Sequence, residues 1–229
     1  KSFCKAYRLF TISERMADLL EKYVPRNKIL VHPIWSIFQD HQKIPRENNP
    51  FIKAHGLEEK FVVQYSGNIG LTHRVELLVD LAEKMQDHPY ILFMIIGRGP
   101  RVPALKQRVA ESKLSNCIFL PFQEDDMFHF SLSAADLGVV ILDEKTAKGS
   151  VPSKSYNLMN LGIPSLYIAS QESELYHYTQ AFEHGKCFEF SELKEAKNFI
   201  NTIATEKSLR KKMSQNAISA SQNFKRSNA

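Results

Sequence analysis

The sequence predicts an α/β fold built on a doubly wound, largely parallel sheet. Three observations carry this. From residue 61 onward, strand-like and helix-like segments alternate, and parallel strands need such crossovers. The segment YILFMIIG at 90–97 is continuously apolar, which suits a central strand covered on both faces. Several strand ends carry glycine, where a ligand usually lies beyond the carboxyl ends of such a sheet.

The elements follow in order. KAYRLFTISERMADLLEKYV reads as a short strand and then a helix, with Ser13 as cap and Met16, Leu19, Leu20 and Tyr23 at helical spacing. KILVHPI is strand-like until Pro33 interrupts it. Residues 33–60 are polar, proline-rich and aperiodic, which reads as a linker, a domain junction or a long surface loop. FVVQYS is then a strand, and VELLVDLAEKM a helix with Leu77, Leu78, Leu81 and Met85 on one face. After YILFMIIG come a helix at 103–112, the strand CIFL, a helix at 124–134 and the strand DLGVVIL. A short helix at 154–161, the strand PSLYIA, a helix near 172–183, a strand around CFEF and a mostly helical stretch at 191–223 complete the chain.

A chain of 229 residues with 43% hydrophobic content and 15 Phe can bury a core without a metal or disulfide. Cys4, Cys117 and Cys187 are odd in number and far apart, favouring a reducing, cytoplasmic setting and small buried thiols. The net charge of +5 is local. Residues 206–229 hold Lys207, Arg210, Lys211, Lys212, Lys225 and Arg226 against Glu206 alone, and the rest is formally neutral. A nucleic-acid groove spreads cations over its binding face, so no nucleic-acid partner is expected. The tail is either a solvated helix face or a peripheral contact with the inner face of a membrane.

Three turns have phosphate-binding chemistry. Gly67-Asn68-Ile69-Gly70 follows FVVQYS, where glycine lets backbone N–H groups approach an anion. Thr72 is placed to cap the next helix, with His73 and Arg74 beside it. The third glycine and the ribose-binding acid of a dinucleotide fingerprint are missing. Gly97-Arg98-Gly99-Pro100 ends the apolar strand, and Arg98 either donates to a ligand or projects into solvent. Gly149-Ser150-Val151-Pro152-Ser153-Lys154 follows DLGVVIL, where Ser153 offers a hydroxyl and a helix cap and Lys154 a cation. Asn157 lies on the helix that Lys154 begins, suited to sugar hydroxyls or to structure. Phe122, in Leu120-Pro121-Phe122, is placed either beside a nucleobase or in the core. His129, His177 and His184 form no readable catalytic constellation, and no Asp-x-Asp metal motif occurs.

The ordered series YSGNIG, IIGRGP, IFLPF, ADLGVVIL and VPSKSYNLMNLGIPSLYIA resembles the carboxyl-terminal, donor-binding half of a retaining glycosyltransferase with two Rossmann-like domains, the GT-B architecture of the family 4-like enzymes. It is most similar to bacterial capsule, O-antigen and lipopolysaccharide sugar transferases, over roughly residues 8–224. The resemblance implies a Rossmann-like sheet. Residues 1–50 would be the end of the acceptor-side domain and its connection, 51–205 the nucleotide-sugar domain and 206–229 a basic helical tail. It also implies a UDP- or GDP-sugar donor and no metal or other cofactor. The expected nucleotide-binding set is Gly67, Asn68, Gly70, Arg98, Phe122, Ser153, Lys154 and Asn157, with Lys154 and Arg74 catalytic. The family often has two glutamates with seven residues between them, which fall here near Gly149 and Asn157, neither of them acidic.

The function expected from this resemblance is retaining transfer of a sugar to a glycan or lipid-linked acceptor by the full-length protein, with these 229 residues inactive alone. The alternatives are a non-catalytic nucleotide-sugar-binding module and a nucleotide-sugar epimerase or hydrolase.

Overall fold

The structure, a computed structural model, describes residues 3–70 and 74–228. Strand β1 (Leu9–Thr11), helix α1 (Glu14–Glu21) and strand β2 (Ile29–Val31) form a small βαβ unit with the two strands parallel. Ser13 caps α1 as its sequence position predicts, its Oγ accepting from the Met16 amide. Ala17 of α1 packs with Val24 and Ile29 on one face. Phe10, 68% exposed, and the partly exposed Leu30 mark the other.

The aperiodic stretch 33–60 proves to be more than a linker. It contains helix α2 (Pro50–Ala54), started by Pro50 at its first turn and capped by Asn49, whose Oδ1 accepts from the Phe51 amide. Such a cap contributes about 1 kcal/mol, and burying Phe51 about 3 kcal/mol more. Point contacts hold the remainder. Phe38 is buried in the main core, Asn160 Nδ2 donates to the Phe38 carbonyl, and the Ile44 amide donates to Ser133 Oγ. Arg46 pairs with Asp136 and also donates to the carbonyls of Leu57 and Lys60. Residues 36–49, expected in the connection, thus pack on the six-stranded unit.

That unit comprises β3 (Phe61–Ser66), α3 (Glu76–Glu83), β4 (Ile91–Ile96), α4 (Val102–Glu111), β5 (Cys117–Leu120), α5 (Asp125–Ser133), β6 (Leu137–Ile141), α6 (Lys154–Asn160), β7 (Ser165–Ile168), α7 (Glu174–Phe182), β8 (Gly185–Phe188) and α8 (Leu193–Thr205). Helix α9 (Lys207–Ser221) closes it. All strand pairs are parallel, in the order β5-β4-β3-β6-β7-β8. The strand near CFEF begins two residues earlier, at Gly185. All six residues of β4 are buried, as a strand covered on both faces requires.

Both faces are covered. Val63, Tyr65, Phe93 and Ile95 pack under α3 and α8; the predicted Leu77, Leu78, Leu81 and Met85 are all in this core, joined by Val79 and Ala82, with Met85 just past the end of α3. On the other face Val62, Met94 and Ile96 meet Phe51 and Ile52 of α2, while Val140 and Tyr167 meet α6 and α7. The basic tail is not separate from this core. Met213, Ala217 and Ala220 of α9 are buried, and Phe224 packs on Tyr156, Tyr178 and Phe182. The chain order runs outward from β3 through β4 to β5, then returns to β6 and runs the other way. This is the Rossmann order, and it reverses between β3 and β6.

Candidate donor-binding site

The reversal separates the crossovers leaving β3 and β6 to opposite sides, opening a crevice beyond the strand ends. Gly67 and Lys154 meet there. Gly67 has φ +152°, and a Cβ on it would stand 2.6 Å from Lys154 Nζ. The ammonium also lies 4.3 Å from the centre of the Tyr65 ring, and Tyr65 donates its hydroxyl to the Asn68 carbonyl at 2.7 Å. Thus β3 supplies an aromatic floor and a turn without a side chain, while α6 delivers a cation into the gap. Among the described residues Lys154 has no ion-pair partner, and burial lowers its pKa from the usual 10.5 to about 8. A desolvated cation without a counter-ion favours an anionic ligand.

The Gly67 turn holds its ligand space differently from the sequence reading. The amides of Gly67 and Ile69 do not face an anion; they donate to the carbonyls of Ile96 and Arg98, both at 2.9 Å. A Cβ on Gly97 would collide with the Gly67 carbonyl, and one on Gly99 with the Ile69 carbonyl. The glycines at 97 and 99, read as admitting a ligand, instead admit the neighbouring turn. Beside them Arg98 lies over the Phe122 ring at 5.3 Å, and Phe122 is 48% exposed rather than in the core. The Gly97 amide ties this corner to the end of β5 by donating to Leu120. From Phe122 to Lys154 the predicted residues therefore line the rim of consecutive strands β5, β4, β3 and β6. Two strand spacings, about 10 Å, separate the aromatic end from the Gly67 end.

Ser153 is exposed at the start of α6 and makes no side-chain cap, because it already has helical dihedrals (φ −56°, ψ −28°). The predicted capping role fails for that reason. A cavity of about 340 Å³ opens beside Lys154 at the end of β6, with Asp143, Thr146 and Ser150 on its wall. Asn157 is buried, and its Oδ1 accepts from Ser36 Oγ at 2.9 Å and the Ile37 amide at 3.2 Å. That oxygen anchors the crossover segment. Arg74 is exposed, stacks over Phe190 at 4.5 Å and approaches Glu76 at 4.0 Å. Gly70 is half-buried at the end of the turn, and Thr72 and His73 lie outside the described residues.

Tyr65 is the site residue that sequence reasoning missed; an inward strand tyrosine carries no signal of the cation above it. Other titratable groups are structural. His184 is buried against the Tyr167 hydroxyl, with its pKa lowered to about 4 by burial, while Cys117 and Cys187 are unpaired thiols pushed up to about 12. Among the described residues no group of three or more His, Cys, Asp or Glu could hold a metal ion, and no helix is long and apolar enough to cross a membrane.

Comparisons with known proteins bear on the family and the fold. Residues 46–220 match the family model "Glycosyl transferases group 1". The chain belongs to that family. It is 26% identical over 175 residues to "Putative colanic acid biosynthesis glycosyl transferase WcaI" of Escherichia coli (strain K12), covering 75% of this chain and 43% of that protein. It is 28% identical over 178 residues to "Probable glycosyltransferase WbjE" of Pseudomonas aeruginosa, covering 76% and 43%. The chain thus spans less than half the length of these curated relatives. The crystal structure of Anabaena HepE with UDP superposes with a TM-score of 0.81 at 19% identity, over 96% of this chain and 60% of that one. The fold is accordingly the donor-binding half of the GT-B architecture.

Proposed function

We propose that this domain binds a nucleoside-diphosphate sugar with its diphosphate against Lys154 and its base near Phe122, and that the full-length protein transfers the sugar to a glycan or lipid-linked acceptor with retention. The observation that carries the reading is the unpaired Lys154 ammonium over the side-chain-free Gly67 at the strand-order reversal. Relatives point the same way. WcaI is described by its role in colanic acid biosynthesis, and HepE has been crystallised with UDP and with UDP-glucose. The HepE complexes favour uridine as the base.

In the transfer, the bond between the anomeric carbon and the diphosphate oxygen breaks while an acceptor hydroxyl oxygen bonds to that carbon and passes its proton to the departing diphosphate. The diphosphate leaves with both electrons of the broken bond. Negative charge therefore grows on the leaving oxygen, where a cation in a desolvated site is worth far more than in water. Lys154 supplies that charge, and Tyr65 fixes the turn that faces it through the Asn68 carbonyl. Ser153 Oγ, exposed and not capping, is available to the same diphosphate. Arg74 is another cation at this end of the sheet, already shared with Phe190 and Glu76.

Calorimetry with UDP, GDP, UDP-glucose and free glucose tests the proposal. Binding of the diphosphates, absence of glucose binding, and loss in Lys154→Met support it; equal binding by the variant, or no binding by any diphosphate, overturns it. The 229 residues alone are expected to bind donor without acceptor-dependent transfer, so transfer by this chain would overturn that part.

A further inference from the structure

At the opposite ends of the strands, α9 passes beside the loops entering β6 and β7, and a cavity of about 220 Å³ opens between them. That is several times the roughly 30 Å³ of a liquid water molecule. Gly162 forms one wall, Lys207, Arg210, Lys211 and Ser214 of α9 another, and Lys43 and Asp136 its remaining charged lining. The charges do not balance. Asp136, the carboxylate in this lining, is already engaged by Arg46 and the Val62 amide, each at 2.9 Å. Lys43 donates to the Ala135 carbonyl, and burial lowers its pKa, with Arg46 and Arg210 adding to that effect and Asp136 opposing it. Arg210 is held by the carbonyls of Ile203 and Ala204 and over the Phe61 ring.

Lys207 and Lys211 are different: among the described residues neither has an ion-pair partner, and both are exposed. They also stand where the helix itself disfavours them. The first two turns of α9 hold Lys207, Arg210, Lys211 and Lys212, with no acid in the first turn and Glu206 outside it making no side-chain cap. Cations near a helix amino terminus oppose its dipole. Lys212 pairs with Glu183 at 3.0 Å, away from the cavity; the other three, Lys207, Arg210 and Lys211, line a concave surface with a hydroxyl at Ser214, an arrangement that an anion relieves.

We propose that this cavity is a second anion site, separate from the donor crevice, that takes a phosphate group on Lys207, Lys211 and Ser214 Oγ, with the Arg210 guanidinium held beside them by the Ile203 and Ala204 carbonyls. Such a group occurs both as free phosphate and as a phosphomonoester lipid headgroup. The two sources are separable. Amide NMR spectra of the 229-residue chain are to be followed during titration with inorganic phosphate, and the same chain is to be sedimented with vesicles of phosphatidylcholine containing or lacking phosphatidic acid.

The Gly162 and Ser214 signals are expected to shift with phosphate, in wild type and in Lys154→Met alike. In Lys207→Gln/Lys211→Gln the affinity should fall at least about tenfold. Lysine-dependent sedimentation with phosphatidic acid supports the site with a lipid source, and phosphate shifts without sedimentation support it with free phosphate. The proposal is overturned if the double variant matches wild type in both measurements, or if phosphate leaves both signals unmoved and sedimentation does not depend on these lysines.

Discussion

The turns after β3 and β4 are alike in sequence and opposite in use. Each places a glycine with φ near +152° directly after an apolar strand, yet a Cβ at Gly67 would meet the movable end of Lys154 whereas one at Gly97 would meet backbone. The β4 turn is a shelf on which the β3 turn rests, and the β3 turn is the surface that faces Lys154. Glycine therefore reports a close approach without saying whether the visitor is ligand or protein. The answer comes from the atom opposite.

That contrast can be broken by substitution. Gly97→Ala is expected to be the most damaging, because neither the Gly67 carbonyl nor its own strand can move away. A loss of about 3 kcal/mol lowers Tm by about 10 °C in a domain of this size, measurable by calorimetric melting. Lys154→Met should behave in the reverse sense, leaving Tm equal or higher at pH 7 while weakening UDP binding about a hundredfold. The pH dependence follows from the lowered pKa of about 8. The unfolded chain holds this proton up to about 10.5, so the cost of burying the cation is complete below pH 8 and is relieved as pH rises toward 10.5. Chemical denaturation across that interval should show wild type gaining stability relative to Lys154→Met.

Gly67→Ala sits between these two. Positive φ costs an alanine about 1–2 kcal/mol, and the displaced ammonium should weaken UDP about tenfold in titration calorimetry. Phe122→Ala should have the smallest effect, changing stability by under about 0.5 kcal/mol at its exposed position. Loss of one base–aromatic contact, about 1 kcal/mol, reduces UDP affinity several-fold while leaving pyrophosphate binding unchanged. A large effect on pyrophosphate would reverse the assignment of the aromatic end to the base.

The strand-and-helix alternation from Phe61 onward was legible because each element must present an apolar face, and that demand imprints a period. Residues 33–60 lack one because their contacts are single points: Ser36 on Asn157, Arg46 on Asp136, Asn49 on the Phe130 carbonyl. Each such tie depends on a partner far away in the chain. Gly67 and Lys154 were legible as residue types, a turn glycine and a helix-start cation, but their meeting across the strand-order reversal is a property of topology. Asn157 shows the converse, since a residue at a motif position has its oxygen drawn into the scaffold. The cations of α9 were legible as a charge cluster, while the cavity beside them required the loops before β6 and β7.

The most direct test is UDP affinity by titration calorimetry between pH 7 and 9.5, in wild type and Lys154→Met. If the Lys154 ammonium is the counter-ion of the diphosphate, wild-type affinity holds to about pH 8 and then falls roughly tenfold per pH unit, while the variant binds weakly and evenly throughout. A flat wild-type profile, or a variant that follows the wild-type fall, would contradict the account.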